Sequence, residues 1–195
     1  MGLDMYLNRM PRYKGVNAKQ ISAMESWFSY QQAKEEGSEF ANCSFREWDS
    51  RADKNLPKKD VVAHFKEFYT TKYADWDKDM KHGWERITDE VGYWRKANAI
   101  HSWFVENIQD GIDDCDYHRE VTKADLEELL DTCHEVLCNP DLAEDRLPTQ
   151  GGFFFGSTVH DEWYMDSLKN TIKIIERVLE ETDFETEMIY YCSSW

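Results

Sequence analysis

The chain contains 195 residues, of which 39 are acidic and 23 are basic, and its formal net charge is −16. This length suits one domain, or one domain with a large insertion. Hydrophobic residues make up 41% of the chain and aromatic residues 14%, so the composition excludes disorder as the main state. The longest apolar runs are a few residues, far short of the roughly 20 that span a bilayer, and we therefore expect no membrane partner.

Negative charge is concentrated in the second half of the sequence. Residues 1–96 carry a net charge of +1, and residues 97–195 carry −17. A negative field of this size repels nucleic-acid phosphates, which disfavours direct binding of DNA or RNA. It attracts a protein with a basic surface, and a solvated face that only keeps the protein soluble is the alternative explanation.

The five cysteines are odd in number and irregularly spaced, and no apolar leader segment follows Met1. Reduced thiols in a cytoplasmic protein explain this pattern best. The high aromatic content, which includes eight Trp, is compatible with a homodimer, whereas the charge of the second half opposes self-association.

Both ends of the sequence favour β-strands. Gly2–Leu7 alternates apolar and polar residues, and Met188–Cys192 is rich in residues that favour extended structure. We predict that these two strands pair. The expected fold is therefore α+β, a mainly helical single domain with a small sheet that joins the N- and C-terminal strands.

In the first half of the chain, apolar residues between the strands recur at helical spacing. The pattern predicts a short helix that ends near Gly37, followed by irregular chain over residues 38–56. A second helix is predicted to begin at Pro57, and the charged segment Trp76–Gly83 is predicted to be a loop.

Three longer helices are predicted in the second half. The first covers residues 94–108 and stops at an Asp-Gly pair. The second begins after Thr122, a predicted N-cap with Asp125 three residues later, and ends before Pro140. The third covers Asp161–Glu181, with acidic residues in its first turn, where the helix dipole favours them.

Two segments carry a family resemblance. One is EVGYWRKANAIH at residues 90–101, and the other contains LPTQ, FFFGST and DEWY between residues 147 and 164. Together with MGLDMYL at the start and SSW at the end, they resemble a family of small proteins with no assigned activity that phages, prophages and bacteria encode. The resemblance covers roughly residues 1–9 and 84–195.

This resemblance implies a phage-associated, cytoplasmic setting, and it supplies no catalytic residues. It also implies an organisation in which residues 84–195 form a family-like helical core. Residues 10–83 are then a variable helical elaboration within the single domain, and the resemblance gives no support to a role placed there.

The predicted helix over residues 94–108 places polar side chains on or beside its buried stripe. On an α-helix, Trp94, Asn98 and His101 share one face. A buried polar group costs about 1–3 kcal/mol unless it is paired, so Asn98 and His101 need a partner side chain or a ligand. Arg95 and Lys96 flank this face and are suited to hold an anion such as phosphate. The alternative is a core histidine, with Arg95 in an ion pair to the acidic helices.

The segment from Phe153 to Tyr164 is the second candidate. Its glycines allow close approach of the backbone, and Ser157 and Thr158 precede a helix N-terminus, where backbone N–H groups bind anions. The alternative is helix capping together with core aromatics. If both segments meet, they form an aromatic pocket suited to a nucleotide-like ligand, with the candidate binding residues Trp94, Arg95, Lys96, Asn98, His101, Phe155, Ser157, Thr158 and Tyr164.

We assign no catalytic residue, no metal and no cofactor from the sequence. The Cys and His residues lack the paired spacing of a zinc site, and the acidic turn after residue 109 lacks the EF-hand pattern. Ser157, His101 and Asp161 supply the residue types of a hydrolase triad, but no nucleophile motif surrounds them.

Three functions are compatible with these patterns, and we expect binding rather than catalysis. The first is a phage-type accessory protein that binds a host protein with a basic surface through its acidic half. The second is a binder of a small nucleotide-like ligand in the aromatic pocket. The third is a hydrolase or transferase that acts on a phosphorylated substrate in the same pocket.

Overall fold

The computed structural model describes residues 2–72 and 87–195, and these adopt an α+β fold. The chain divides into two compact units, one containing Met1–Arg9 and Glu90–Trp195, the other Met10–Asp89. The sequence predicted one domain that carries an elaboration over residues 10–83. The second unit covers nearly these residues and has a core of its own, so each unit is described separately.

In the described chain, the strands Asp4–Pro11 (β1), Asp89–Arg95 (β2) and Glu187–Ser194 (β3) form an antiparallel sheet in the order β2-β1-β3. Met5 and Leu7 are fully buried and alternate with partly exposed side chains, as expected of a strand with one face on a core. The predicted pairing of the two terminal strands is confirmed.

The third strand corrects the predicted helix over residues 94–108. Strand β2 covers Asp89–Arg95, and helix α5 begins only at Asn98, so Trp94 is not on the helix with Asn98 and His101. The EVGYWR sequence is rich in residues that favour strands. Between the strand and the helix, Lys96 adopts φ of 57°, a left-handed conformation that an α-helix cannot contain.

The remaining helices of the first unit cover one face of the sheet or pack on each other. Helix α6 begins with the predicted capping box, because Thr122 Oγ1 accepts from the Asp125 N–H at 3.2 Å and Asp125 Oδ2 accepts from the Thr122 N–H at 2.7 Å. Helices α6 and α8 pack together through their apolar faces. The helix bounds are Asn98–Ile108 (α5), Lys123–Cys138 (α6), Ala143–Arg146 (α7) and Glu162–Glu181 (α8), with a 3₁₀ turn at Pro140–Leu142.

Gly92 sets the packing of β2 on α8. A Cβ atom at this position would lie 2.8 Å from Ile174 Cγ2 and 3.3 Å from Leu7 Cβ. Any larger side chain would push the strand and the helix apart. This close approach places the end of β2, and therefore the start of α5, beside the N-terminal half of α8.

The second unit is helical, and its core includes Tyr30 and Phe45. The first helix ends as predicted, with Gly37 at φ of 73°. The expectation of irregular chain over 38–56 is wrong, because Ser44 and Asp49 each cap a short helix there. The bounds are Ala18–Glu35 (α1), Phe45–Trp48 (α2), Ser50–Asn55 (α3) and Lys59–Lys72 (α4), with a 3₁₀ turn at Glu39–Ala41.

The loop predicted over Trp76–Gly83 lies outside the described residues. Among the helices that the structure describes, none combines the length and the apolar character needed to cross a membrane.

Candidate functional site

Asn98 holds the two motif segments together. Its side chain is 4% exposed, and Nδ2 donates hydrogen bonds to the carbonyl oxygens of Phe155 at 3.1 Å and Ser157 at 2.8 Å. Because both acceptors are carbonyl oxygens, the amide must present its NH₂ group to them. The loop that contains FFFGST is thereby fixed against the first turn of α5.

Leu3 gives a second link between the same segments. Its backbone N–H donates to the Phe154 carbonyl oxygen at 3.1 Å, and its own carbonyl oxygen accepts from the Lys96 N–H at 2.8 Å. The chain just before β1 therefore lies between the end of β2 and the loop. Three sequence-distant segments are joined here by backbone and amide hydrogen bonds.

A cleft of about 430 Å³ opens between the first turns of α5 and α8. This volume falls within the range of about 300–1,000 Å³ that is typical of small-molecule sites. The walls come from both motif segments. The first contributes Arg95, Lys96, Ala97, Asn98 and Ala99, and the second contributes Gly156, Ser157, Val159, Asp161, Trp163, Tyr164 and Ser167.

The α5 end of the cleft is electropositive. Arg95 and Lys96 are exposed, and neither forms an ion pair with an acidic residue of the described chain, so the alternative ion pair for Arg95 is not present there. The N-cap of α5 is Ala97, which makes no side-chain cap hydrogen bond. The first N–H groups of the helix thus lack a side-chain acceptor, and its positive dipole end adds to the two cations.

The α8 end of the cleft has the opposite character. Asp161 Oδ1 accepts a hydrogen bond from the Tyr164 N–H at 3.1 Å and caps the helix. Its carboxylate offsets the positive end of that helix dipole. Asp161 is the one carboxylate among the described lining residues, so the cleft is polarised from α5 to α8.

The adjacent aromatic residues Trp163 and Tyr164 of α8 differ in burial. Tyr164 is buried, its hydroxyl donates to the Leu147 carbonyl oxygen at 2.9 Å, and burial raises its pKa well above the usual range. Trp163 is 81% exposed and lines the cleft. Trp163 is not among the binding residues predicted from the sequence, although the helical phase that turns Tyr164 inward also turns its neighbour outward.

His101 does not reach the cleft. It is fully buried, with Nδ1 2.7 Å from the Tyr191 hydroxyl and Nε2 3.0 Å from Asp113 Oδ1. A carboxylate only accepts, so Nε2 carries the proton and Nδ1 accepts from Tyr191. Burial lowers the pKa of His101, and the Asp113 carboxylate opposes that shift. The neutral ring is satisfied on both sides.

Of the nine predicted binding residues, five line the cleft: Arg95, Lys96, Asn98, Ser157 and Tyr164. The other four do not, for separate physical reasons. Trp94 is in the core, where its Nε1 donates to Thr171 Oγ1 at 2.9 Å, and His101 is paired as described above. Phe155 is buried with its ring against His101, and Thr158 is exposed beside the cleft.

The groups of a hydrolase triad are not assembled. Ser157 Oγ accepts from the Val159 N–H at 3.2 Å, Asp161 caps α8, and both ring nitrogens of His101 bind other residues. Within residues 2–72 and 87–195, there is also no group of three or more His, Cys, Asp or Glu side chains placed to hold a metal ion.

Comparisons of the chain with known protein families, with curated proteins and with solved structures found no match.

Proposed function

We propose that this protein binds a small, phosphorylated, nucleotide-like ligand in the cleft between α5 and α8. The observation that carries the proposal is the pairing of Arg95 and Lys96 with the uncapped start of α5 on one wall of a 430 Å³ cleft. Together they place two positive charges and the positive end of a helix dipole on the same wall of the cleft.

The electrostatics of the surrounding chain strengthen this argument. Residues 97–195 contain 23 acidic and only six basic side chains. Arg95 and Lys96 directly precede this acidic segment, and neither forms an ion pair with an acidic residue of the described chain. Helix N-termini and cations bind phosphate by the same means, charge-assisted hydrogen bonds from N–H groups.

A calorimetric titration tests the proposal. Wild-type protein is titrated with adenosine monophosphate, inorganic phosphate and adenosine, and the two phosphorylated compounds are expected to bind and to raise the melting temperature. The Arg95→Ala, Lys96→Ala double variant is expected to lose both effects while it remains folded, because both side chains are exposed.

The Lys169→Ala, Lys173→Ala double variant is the matched control, since it also removes two exposed cations, both on α8 and neither lining the cleft. This variant is expected to bind the phosphorylated compounds as the wild type does. Equal weakening by the control and the Arg95→Ala, Lys96→Ala variant would show only a general effect of net charge, and the cleft assignment would be lost.

A second candidate function is favoured by the surface of α6. Glu127, Glu128, Asp131 and Glu135 are all exposed along this helix. Such a face supports the phage-type accessory role, in which the protein recognises the basic surface of a host protein by electrostatic attraction. Reversing Glu127, Glu128 and Asp131 to Lys is expected to abolish salt-sensitive capture of that partner. Capture that ignores both salt and these substitutions would contradict it.

Catalysis on a phosphorylated substrate is less well supported by the geometry. A general base has to reach the proton that it removes, and His101, the histidine among the three triad residue types, is fully buried with both nitrogens bonded. The cleft therefore suits capture of a ligand better than its turnover.

A further inference from the structure

We infer that the cleft selects nucleoside monophosphates over longer polyphosphates, with Asp161 and Trp163 as the specificity-determining residues. This inference rests on the proposed anion site and adds to it the orientation and the class of the ligand. It follows from the polarity of the cleft, from an Asn98 side-chain oxygen that has no hydrogen-bond partner within the described chain, and from one exposed ring.

The opposite charges on the α5 and α8 sides of the cleft determine the orientation of the ligand. Arg95, Lys96 and the open start of α5 are at one side, and the Asp161 carboxylate is at the other. A phosphate is attracted to the first side and repelled by the second. The ligand therefore directs its phosphate toward α5 and an uncharged portion toward α8.

Asn98 offers a hydrogen-bond acceptor to a ligand in the cleft. This residue is 4% exposed and lines the cleft, and both of its hydrogen bonds use Nδ2. Its Oδ1 accepts no hydrogen bond within the described chain. An amide oxygen cannot pair with a phosphate oxygen, since both accept, but it pairs with a hydroxyl or an amino group. A sugar hydroxyl next to the phosphate meets this need.

Trp163 shows what occupies the α8 side. Its ring lines the cleft and is 81% exposed, so it offers a large flat apolar surface that the protein itself leaves uncovered. Nucleobases stack on such rings whatever their identity. A phosphate at α5, a sugar hydroxyl at Asn98 and a base on Trp163 together describe a nucleoside monophosphate.

Asp161 limits the number of phosphates. A chain of two or three phosphates carries additional negative charge along the cleft, toward the one carboxylate among the described lining residues. Repulsion between like charges in a partly enclosed site then makes the binding of di- and triphosphates weaker than the binding of the monophosphate.

The test compares the affinities of adenosine mono-, di- and triphosphate at constant ionic strength. The wild type is expected to bind the monophosphate most tightly. Asp161→Asn keeps the helix cap, because Asn is among the best N-cap residues, but it removes the charge. This variant is expected to bind the triphosphate more tightly and so to reduce the preference for the monophosphate about tenfold or more.

Trp163 is tested with two substitutions. Trp163→Leu is expected to lower the affinity for adenosine monophosphate about fivefold or more and to leave the affinity for ribose 5-phosphate unchanged. Trp163→Phe is expected to retain most of the affinity for adenosine monophosphate. An unchanged phosphate preference in Asp161→Asn, or equal weakening of both ligands by Trp163→Leu, overturns the inference. Failure of every phosphorylated compound to bind the wild type overturns the proposed function as well.

Discussion

The side-chain nitrogen of Asn98 lies 2.8 Å from the carbonyl oxygen of Ser157, 59 residues away in sequence. This contact, with the companion bond to Phe155, joins the start of α5 to the loop that precedes α8. A buried amide needs partners, and here the partners are the backbone carbonyl oxygens of Phe155 and Ser157. The cleft exists because these two segments are held at this distance.

Asn98→Ala is expected to destabilise the protein by about 1–3 kcal/mol, because the carbonyl oxygens of Phe155 and Ser157 lose their donor. Urea unfolding followed by circular dichroism measures the change in free energy. Asn170→Ala, at an exposed position on α8, is the control and is expected to change stability by less than about 0.5 kcal/mol. Similar losses in both variants would mean that the Asn98 bonds contribute little.

Tyr191→Phe removes the hydroxyl that donates to His101 Nδ1. The ring of residue 191 stays stacked on Phe104, where the centroids are 4.1 Å apart, so apolar packing is kept. An unpaired buried acceptor is expected to cost about 1–3 kcal/mol in the free energy of unfolding. If the free energy of unfolding did not change, His101 Nδ1 would not depend on the Tyr191 hydroxyl as its donor, and the proposed tautomer would be incorrect.

Stability is expected to fall as the pH drops below about 6.5, the usual pKa of histidine. The folded state holds His101 neutral and lowers its pKa, whereas the unfolded state binds a proton there more readily. The unfolded state therefore gains protons first, and the stabilisation present above pH 6.5 is lost toward the lowered pKa.

Unfolding titrations between pH 5 and 8 measure this slope. The slope of the free energy of unfolding against pH is expected to be smaller in His101→Phe than in the wild type, since a phenylalanine side chain cannot bind a proton. His64→Asn, a substitution of an exposed histidine, serves as the comparison. A slope that is the same in wild type and His101→Phe would assign the pH dependence to other groups.

Gly92→Ala is expected to destabilise the first unit by about 1–3 kcal/mol, because the added Cβ would lie 2.8 Å from Ile174 Cγ2. Gly151→Ala is a matched control, since its nearest neighbour, Thr158 Cγ2, would be at 3.9 Å. Thermal unfolding of both variants measures the difference. Equal melting temperatures would show that β2 and α8 separate at little cost.

The sequence pattern was sufficient for features that local chemistry controls. The capping box at Thr122 and the left-handed stop at Gly37 follow from residue type and spacing alone. The pairing of the terminal strands also followed, because each showed strand-type composition and both ends needed a partner. These features depend on a few neighbouring residues, or on a single long-range pair.

Other features were decided by tertiary contacts that periodicity does not contain. Trp94 repeats at helical spacing with Asn98 and His101, yet it lies on β2, since pairing with β1 and the turn at Lys96 outweigh that spacing. His101 was predicted to face a ligand, but Asp113 and Tyr191 from other parts of the chain satisfy it. No pattern near residue 101 identifies those partners.

The cleft itself was partly foreseen. The sequence analysis described a pocket that forms if the segment around Asn98 meets the FFFGST loop, and the structure brings these two segments together. The roles of Trp163 and Asp161 depend on which side of α8 faces the loop. That orientation comes from the packing of α8 on β2 and α6, which the sequence does not specify locally.

Location of the ligand is the most direct test, and nuclear magnetic resonance provides it. On titration with adenosine monophosphate, the backbone amides of Asn98, Ala99 and Ile100 and the indole N–H of Trp163 are expected to show the largest chemical-shift changes. The Arg95→Ala, Lys96→Ala variant is expected to show none of these changes. Saturable shifts confined to other surfaces, or no shifts in the wild type at millimolar ligand, would contradict the assignment of this cleft as the binding site.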